Sequence, residues 1–364
     1  MRFALTEEQS DLVATVHTLI AKRAASTDLR AAIDSDRGYD QELWRTLTEQ
    51  IGVTALAIPE TYGGVGCSYI EAHLVLEELG ATLTPSPLVG TVLASEVVQG
   101  VLAGIPASNG PELPGLPEPA ARLLAEIADG TRLATVAPTA PAAGSMSVSG
   151  DRLTGSVSTV LDAPTADTIL VVVDDQLFAV DRTAPGCEII ETPALDPTLR
   201  LGTVQLTDAP AALLGTVDPA YVTTVGATMM TALQAGAARV ALERTVAYLK
   251  ERHQFGRPLG SFQALKHRCA DLLVQVETAK TMSWAAAWEL SQPEPDVRLV
   301  RAAKTWCSDA FSQVAAEMIQ LHGGVAITWE HDAHLYFKRA HATAQLFATP
   351  AVEPVETQQK ETNG

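Results

Sequence analysis

The sequence predicts an α+β protein of three parts. An N-terminal α-helical domain covers residues 1–120, a central antiparallel β-barrel or β-sandwich domain covers 121–216, and a C-terminal four-helix bundle covers 217–350, with a disordered polar tail at 351–364. Three observations predict it. Apolar residues recur at helical spacing through the first hundred or so positions. Between roughly 130 and 215 the pattern shortens to runs of Val, Thr and Ile set off by Gly, Asp and Pro. After Asp218-Pro219 long helical stripes return and run nearly to the end.

Composition agrees. Of 364 residues 47% are hydrophobic, enough core for two or three packed units, and only 5% are aromatic, which favours close-packed Ala- and Leu-rich helices. The formal net charge of −18 repels nucleic acid and anionic membranes, so neither is an expected partner. A phosphate-bearing ligand would have to be met by a local basic site. Cys67, Cys187, Cys269 and Cys307 are too scattered for a metal site or a Cys-x-x-Cys pair and read as free thiols in a reducing compartment. Early charge (Arg2, Glu7, Glu8, Asp11) leaves no signal-peptide pattern, and no apolar run reaches membrane-span length, so a cytoplasmic protein without membrane insertion is expected.

In chain order, Thr6 to Gln9 reads as a capping box that opens a helix striped by Leu12, Val13, Val16, Leu19 and Ile20. A second helix lies around Leu43, Trp44, Leu47 and Ile51. The Gly- and Pro-bearing stretch Ala57 to Gly66 reads as a sharply turning loop. Helices follow from near Ser68 and from Pro87 to Leu102, then a Pro-rich linker at 104–119 and a short helix from Ala120. Seven short β runs lie between Leu133 and Leu206. The bundle helices carry the stripes Val225, Met229, Leu233; Leu272, Val276, Ala279; and Val300, Cys307, Phe311, with a fourth helix at roughly 331–347. The small patch Ala235 to Ala238 reads as close helix packing.

The turn between the first two bundle helices gathers Arg252, His253, Arg257 and Gln263 at one corner. Arg presents a planar fork of donors to anionic oxygens, so this corner suits a phosphate-bearing ligand. The same residues also fit an ordinary turn with solvated charges.

Four motifs lie on this frame in order: Leu5 to Gln9; Pro59 to Gly66 followed by Leu76 to Gly80; Arg252-x-x-Phe255-Gly256 through Gln263; and Gln320-x-x-Gly323-Gly324 followed by Thr328 to Asp332. Together they resemble the acyl-CoA dehydrogenase superfamily over nearly the whole chain. That resemblance implies bound FAD, an acyl-CoA substrate, α,β-dehydrogenation, a tetramer and an electron-accepting flavoprotein partner. It implies cofactor contacts across a subunit boundary by Arg252, Phe255 and Gln263, and contacts at the adenine end by Gln320, Gly323 and Gly324. Gly323-Gly324 equally fits a helix C-cap.

The departures from the family are as informative. The position of the usual catalytic Glu is Phe347, with Thr349 beside it as a possible FAD contact. The alternative position of that base, on the first bundle helix, falls near Gly226. Neither side chain abstracts a proton. The segment Ala134 to Ser145 lacks the family's flavin-contacting pattern, and Thr159 to Ala163 lacks the aromatic that packs on the flavin. The catalytic residue is therefore unassigned, with Glu330, His331, Asp332 and Asp162 as non-standard candidates; the Trp329 to Asp332 cluster also fits a helix N-cap and first-turn acids.

The reading the residues favour is a subunit without a complete site of its own, paired in a hetero-tetramer with a paralogous subunit whose FAD site it completes. Heteromeric members of this kind occur in the superfamily, including in bacterial breakdown of sterol side chains, and the composition suits an actinobacterial source. Alternatives are a homo-tetramer with a non-standard base, a flavin-free scaffold on the same fold, and an oxidase or monooxygenase.

Overall fold

The structure is a computed structural model and describes residues 4–23, 25–104, 115–138 and 146–348. Most of the Pro-rich linker, Thr349 and the polar tail lie outside the described residues.

The N-terminal helices form where the caps place them. Thr6 and Gln9 make the reciprocal capping box that opens α1 (Glu7–Ala21). Next come α2 (Ser26–Ile33) and α3 (Gln41–Thr46), the latter capped by Asp40 and continued by a π-turn over Leu47–Ile51. The Gly-rich loop turns sharply because Gly63 and Gly66 have φ of 83° and 74°. A Cβ at Gly64 would stand 1.9 Å from the Ile58 carbonyl oxygen. Ser68 caps α4 (Tyr69–Ala81), and α5 (Leu88–Gly104) and α6 (Glu118–Ala128) complete this part.

The central part holds two four-stranded sheets. One runs β1 (Ala134–Ala137), β4 (Thr168–Val173), β5 (Gln176–Asp181), β8 (Ala212–Thr216). The other runs β2 (Met146–Ser149), β3 (Arg152–Leu161), β7 (Leu201–Pro210), β6 (Cys187–Thr192). Val157, Val160 and Val204 of one sheet pack on Ile169, Val171 and Phe178 of the other. Every pairing is antiparallel except β1 with β4.

The bundle comprises α7 (Pro219–Glu251), α8 (Gln263–Leu290), α9 (Val297–His322) and α10 (Ala333–Gln345). The 33-residue α7 is its axis, buried on several sides. At Gly236 a Cβ would stand 1.9 Å from the Glu77 carbonyl oxygen, so the Ala235 to Ala238 patch is the contact with α4. The fully buried Arg339 of α10 pairs with Asp196 in the β6–β7 connection, which ties the bundle to the sheets.

Candidate functional site

The two positions that sequence reasoning assigned to a base meet in space. Phe347, two residues past the end of α10, has φ of 50°, and its ring lies against Gly226 on α7. A Cβ at Gly226 would stand 2.3 Å from Phe347 Cδ1, so only glycine accepts the ring there. Phe347 packs both against the small cluster of Ala227, Ala286, Val300 and Ala303 and against the main core. The residues that meet at this position carry no proton acceptor.

A buried polar network holds the Phe347 turn. Lys304 on α9 is 2% exposed, and its ammonium donates to the carbonyls of Thr343 and Ala344 at 3.0 and 3.2 Å and to Ser308 Oγ at 2.9 Å. Those carbonyls belong to the last turn of α10, where no further helical turn supplies donors for them. Burial pulls the Lys304 ammonium down to about 8. Gln234 of α7 adds bonds to Ser308 and Thr343 at 3.1 and 3.2 Å. Sequence reasoning passed over Lys304; the signal was a lysine inside the apolar stripe of α9.

On the sheet side, Thr135 is fully buried and its hydroxyl donates to the Leu161 carbonyl at 2.5 Å. Asp162 is also buried, and its Oδ2 accepts from the Gly90 amide at 2.9 Å. Burial pushes the Asp162 carboxyl up to about 7, with the Gly90 bond and Arg339 opposing. Asp162 is thus tied to the start of α5.

The opposite group of predicted residues lies exposed at one end of the bundle. A two-residue ribbon, His253–Gln254 against Arg257–Pro258, carries Phe255 and Gly256 at its tip with φ of 55° and 76°. Phe255 is 87% exposed and meets Phe262 edge-on at 6.1 Å, while the Arg257 guanidinium sits 3.9 Å over the Phe262 ring. Arg252 caps α7 and is exposed, as is Gln263, whose amide contacts His267 at 2.9 Å. Gln320, Gly323 and Gly324 are exposed too; Gly323 ends α9 with φ of 67° and its amide bonds Ile319, the C-cap geometry. Open space surrounds both glycines. The two turns share one end of the bundle because Tyr248, one turn before Arg252, stacks on His322 at 4.4 Å and donates to its carbonyl at 3.3 Å.

Two of the non-standard base candidates near this end, Asp332 and His331, have other employment. Asp332 occupies the N-cap position of α10 but makes no capping bond. Its carboxylate instead accepts from Arg30 at 3.0 Å, Arg244 at 2.9 Å and Ser26 at 2.6 Å, joining α2, α7 and α10. The cap comes from His331, whose Nδ1 accepts from the Ala333 amide at 3.1 Å. Glu330 is exposed. Among the described residues no three His, Cys, Asp or Glu side chains form a metal-ligand group, and no helix is long and apolar enough to cross a membrane.

These residues divide in their fit to FAD. The exposed guanidinium of Arg252 and the open backbone at Gly323-Gly324 fit the anionic, adenine-bearing end of the cofactor. The Phe347 side does not fit a flavin ring with a base beside it: apolar groups fill it, and the Thr135 hydroxyl is already bonded within the chain.

The family profile described as Acyl-CoA dehydrogenase, N-terminal domain matches residues 6–103, and that described as Acyl-CoA dehydrogenase, C-terminal domain matches 220–348. The chain is 41% identical to acyl-CoA dehydrogenase IpdE2 of Mycobacterium tuberculosis over 94% of both chains. It is 39% identical to the IpdE2 of Mycolicibacterium smegmatis, over 95% of this chain and 96% of that one. In the crystal structure of the ChsE4-ChsE5 complex from Mycobacterium tuberculosis, a chain 30% identical superposes with a TM-score of 0.83 over 94% of each. The Tcur3481-Tcur3483 steroid ACAD contains a chain 30% identical with a TM-score of 0.81 over 93% of each.

Proposed function

The chain belongs to the acyl-CoA dehydrogenase family, and on that premise we propose that it serves α,β-dehydrogenation of an acyl-CoA thioester as the base-lacking subunit of a heteromeric enzyme. A paralogous subunit supplies the carboxylate that accepts the α-proton and the contacts to the flavin ring. When bound there, FAD supplies the hydride acceptor. This chain lends Arg252, Phe255 and Gln263 from one turn and Gln320, Gly323 and Gly324 from the other to the dinucleotide end of the partner's cofactor, with Thr349 assigned to the same reading. Arg252 binds pyrophosphate oxygen, Phe255 packs on the cofactor, and the glycines admit close backbone approach. Electrons leave to an electron-accepting flavoprotein, and the complex works in the cytoplasm.

The observation that carries this reading is the Phe347 ring on Gly226: both positions of the family's base are apolar and pressed together. The exposure of Arg252, Phe255 and Gln320 at one end of the bundle supports the donated half-site. The similarity to the ChsE4-ChsE5 complex supports a two-gene assembly, and that to a steroid ACAD supports a steroid-derived acyl group.

The test is co-expression with a paralogous subunit that retains the glutamate. The expected result is a complex of two kinds of subunit with one flavin per pair. A chain that stays alone in the presence of that paralogue, or a complex with one flavin per chain, contradicts the proposal.

A further inference from the structure

A cavity of about 460 Å3 opens between α1, α4, α7 and α8, a size within the ~300–1,000 Å3 range of small-molecule sites. It shares no residue with the two turns at the bundle end or with the Phe347 contact. Helical spacing builds it. Leu74 and Glu77 lie one turn apart on α4, and Lys280 and Trp284 lie one turn apart on α8. Each helix thus offers one apolar and one charged side chain to the same space. Leu5 and Val13 add to the apolar wall from the side of α1.

Some of the charges at this cavity are matched within the chain. Arg239 of α7 donates through Nη2 to Glu78 Oε1 at 2.8 Å, and Glu78 Oε2 also meets His17 Nδ1 at 2.8 Å. Three other polar groups are not. Among the described residues, neither the Glu77 carboxylate nor the Lys280 ammonium makes a hydrogen bond or a close ion pair. The Trp284 Nε1–H is buried without an acceptor. Burial pushes the Glu77 carboxyl above its ordinary range; Lys280 and Arg239 oppose that shift and Glu78 adds to it. A buried polar group without a partner is unfavourable, and here a carboxylate, an ammonium and an N–H donor face one cavity with apolar walls. That set matches a molecule that carries both charges on an apolar body.

We propose that this cavity binds a free α-amino acid with an aliphatic side chain. The Glu77 carboxylate accepts from the ligand's ammonium, and Lys280 and the Trp284 N–H donate to the ligand's carboxylate. The aliphatic side chain lies against Leu5, Val13 and Leu74. The site is independent of the shared-cofactor reading, because it needs neither a partner subunit nor flavin.

The test is isothermal titration calorimetry on the full chain with three probes. L-leucine is compared with 3-methylbutan-1-amine, which lacks the carboxylate, and with 4-methylpentanoate, which lacks the ammonium. Leucine is expected to bind about 10-fold or more tighter than either, because each analogue leaves a charged group of the site unmatched. Lys280→Met, at an exposed position, brings leucine down toward the level of the amine, and Glu77→Gln brings it down toward the level of the acid. Neither change lowers the melting temperature, because neither side chain has a hydrogen bond to lose. No binding of leucine, an amine or an acid that binds as tightly as leucine, or a preference that survives both substitutions overturns the proposal. Since neither turnover nor flavin is read, these failures leave the shared-cofactor reading standing.

Discussion

The Phe347 ring rests on the backbone of Gly226, with the nearest position for a side-chain carbon at 226 only 2.3 Å from the ring. The contact joins residues 121 positions apart, the two to which the sequence motifs assign the base. A methyl group there overpacks the core. Gly226→Ala is therefore expected to destabilise the chain by about 1–3 kcal/mol in denaturant unfolding. Gly226→Ala combined with Phe347→Ala is expected to cost less than the sum of the two single changes, because the second removes the clash made by the first.

Arg252 is exposed and caps α7 through its backbone alone, so its side chain matters little to folding. In the heteromeric complex, Arg252→Ala is expected to leave the melting temperature unchanged and to weaken FAD binding by about 10-fold or more, the loss typical of a charge-assisted hydrogen bond. Titration of the flavin-stripped complex with FAD reads the effect directly.

Asp332 separates a structural from a catalytic role. It is buried and holds two arginines from different helices. Removing one member of such a group strands the others, so Asp332→Ala is expected to cost about 3–5 kcal/mol. Asp332→Asn, assayed at a temperature where it remains folded, is expected to retain full turnover per complex. A base replaced by an amide would lose turnover by orders of magnitude.

Acid is expected to loosen the end of the bundle that carries Gly323. Burial lowers the pKa of His331, with Arg244 and Arg30 adding to the shift and Asp332 opposing it; burial lowers His322 and His334 as well. The unfolded chain titrates these rings near ~6.5 and so binds more protons than the folded chain below that pH. Their contribution to stability is full above ~6.5 and is lost as pH falls toward the lower folded values. Protonation of His331 also places a proton where it now accepts from the Ala333 amide. His331→Gln keeps an acceptor without the titration, and melting curves between pH 7.5 and 5 are expected to show a shallower acid loss than the parent chain.

Much of this architecture is legible in the sequence because local signals carry it. The Thr6–Gln9 box, the helix start near Ser68 and the Gly323 C-cap each depend on residues within a few positions of one another, and each forms as read. What escaped depends on distant partners or on weak local signals. The helix α2 has no side-chain cap. The parallel β1–β4 pairing joins Ala134 to Thr168 across an intervening hairpin. Asp332 looked like a cap because it precedes a helix, but Arg30, 302 residues away, claims its carboxylate. The motif count assigns the two base positions to Phe347 and to the neighbourhood of Gly226; that these two residues touch each other is information only the fold contains.

On the proposed reading this chain holds no complete dehydrogenase site. Anaerobic mixing of acyl-CoA with the chain purified alone and incubated with FAD, followed by absorbance of the flavin, tests it most directly. No bleaching of flavin is expected with the chain alone, and full bleaching once the glutamate-bearing paralogue is present. Stoichiometric bleaching by the chain alone would contradict it.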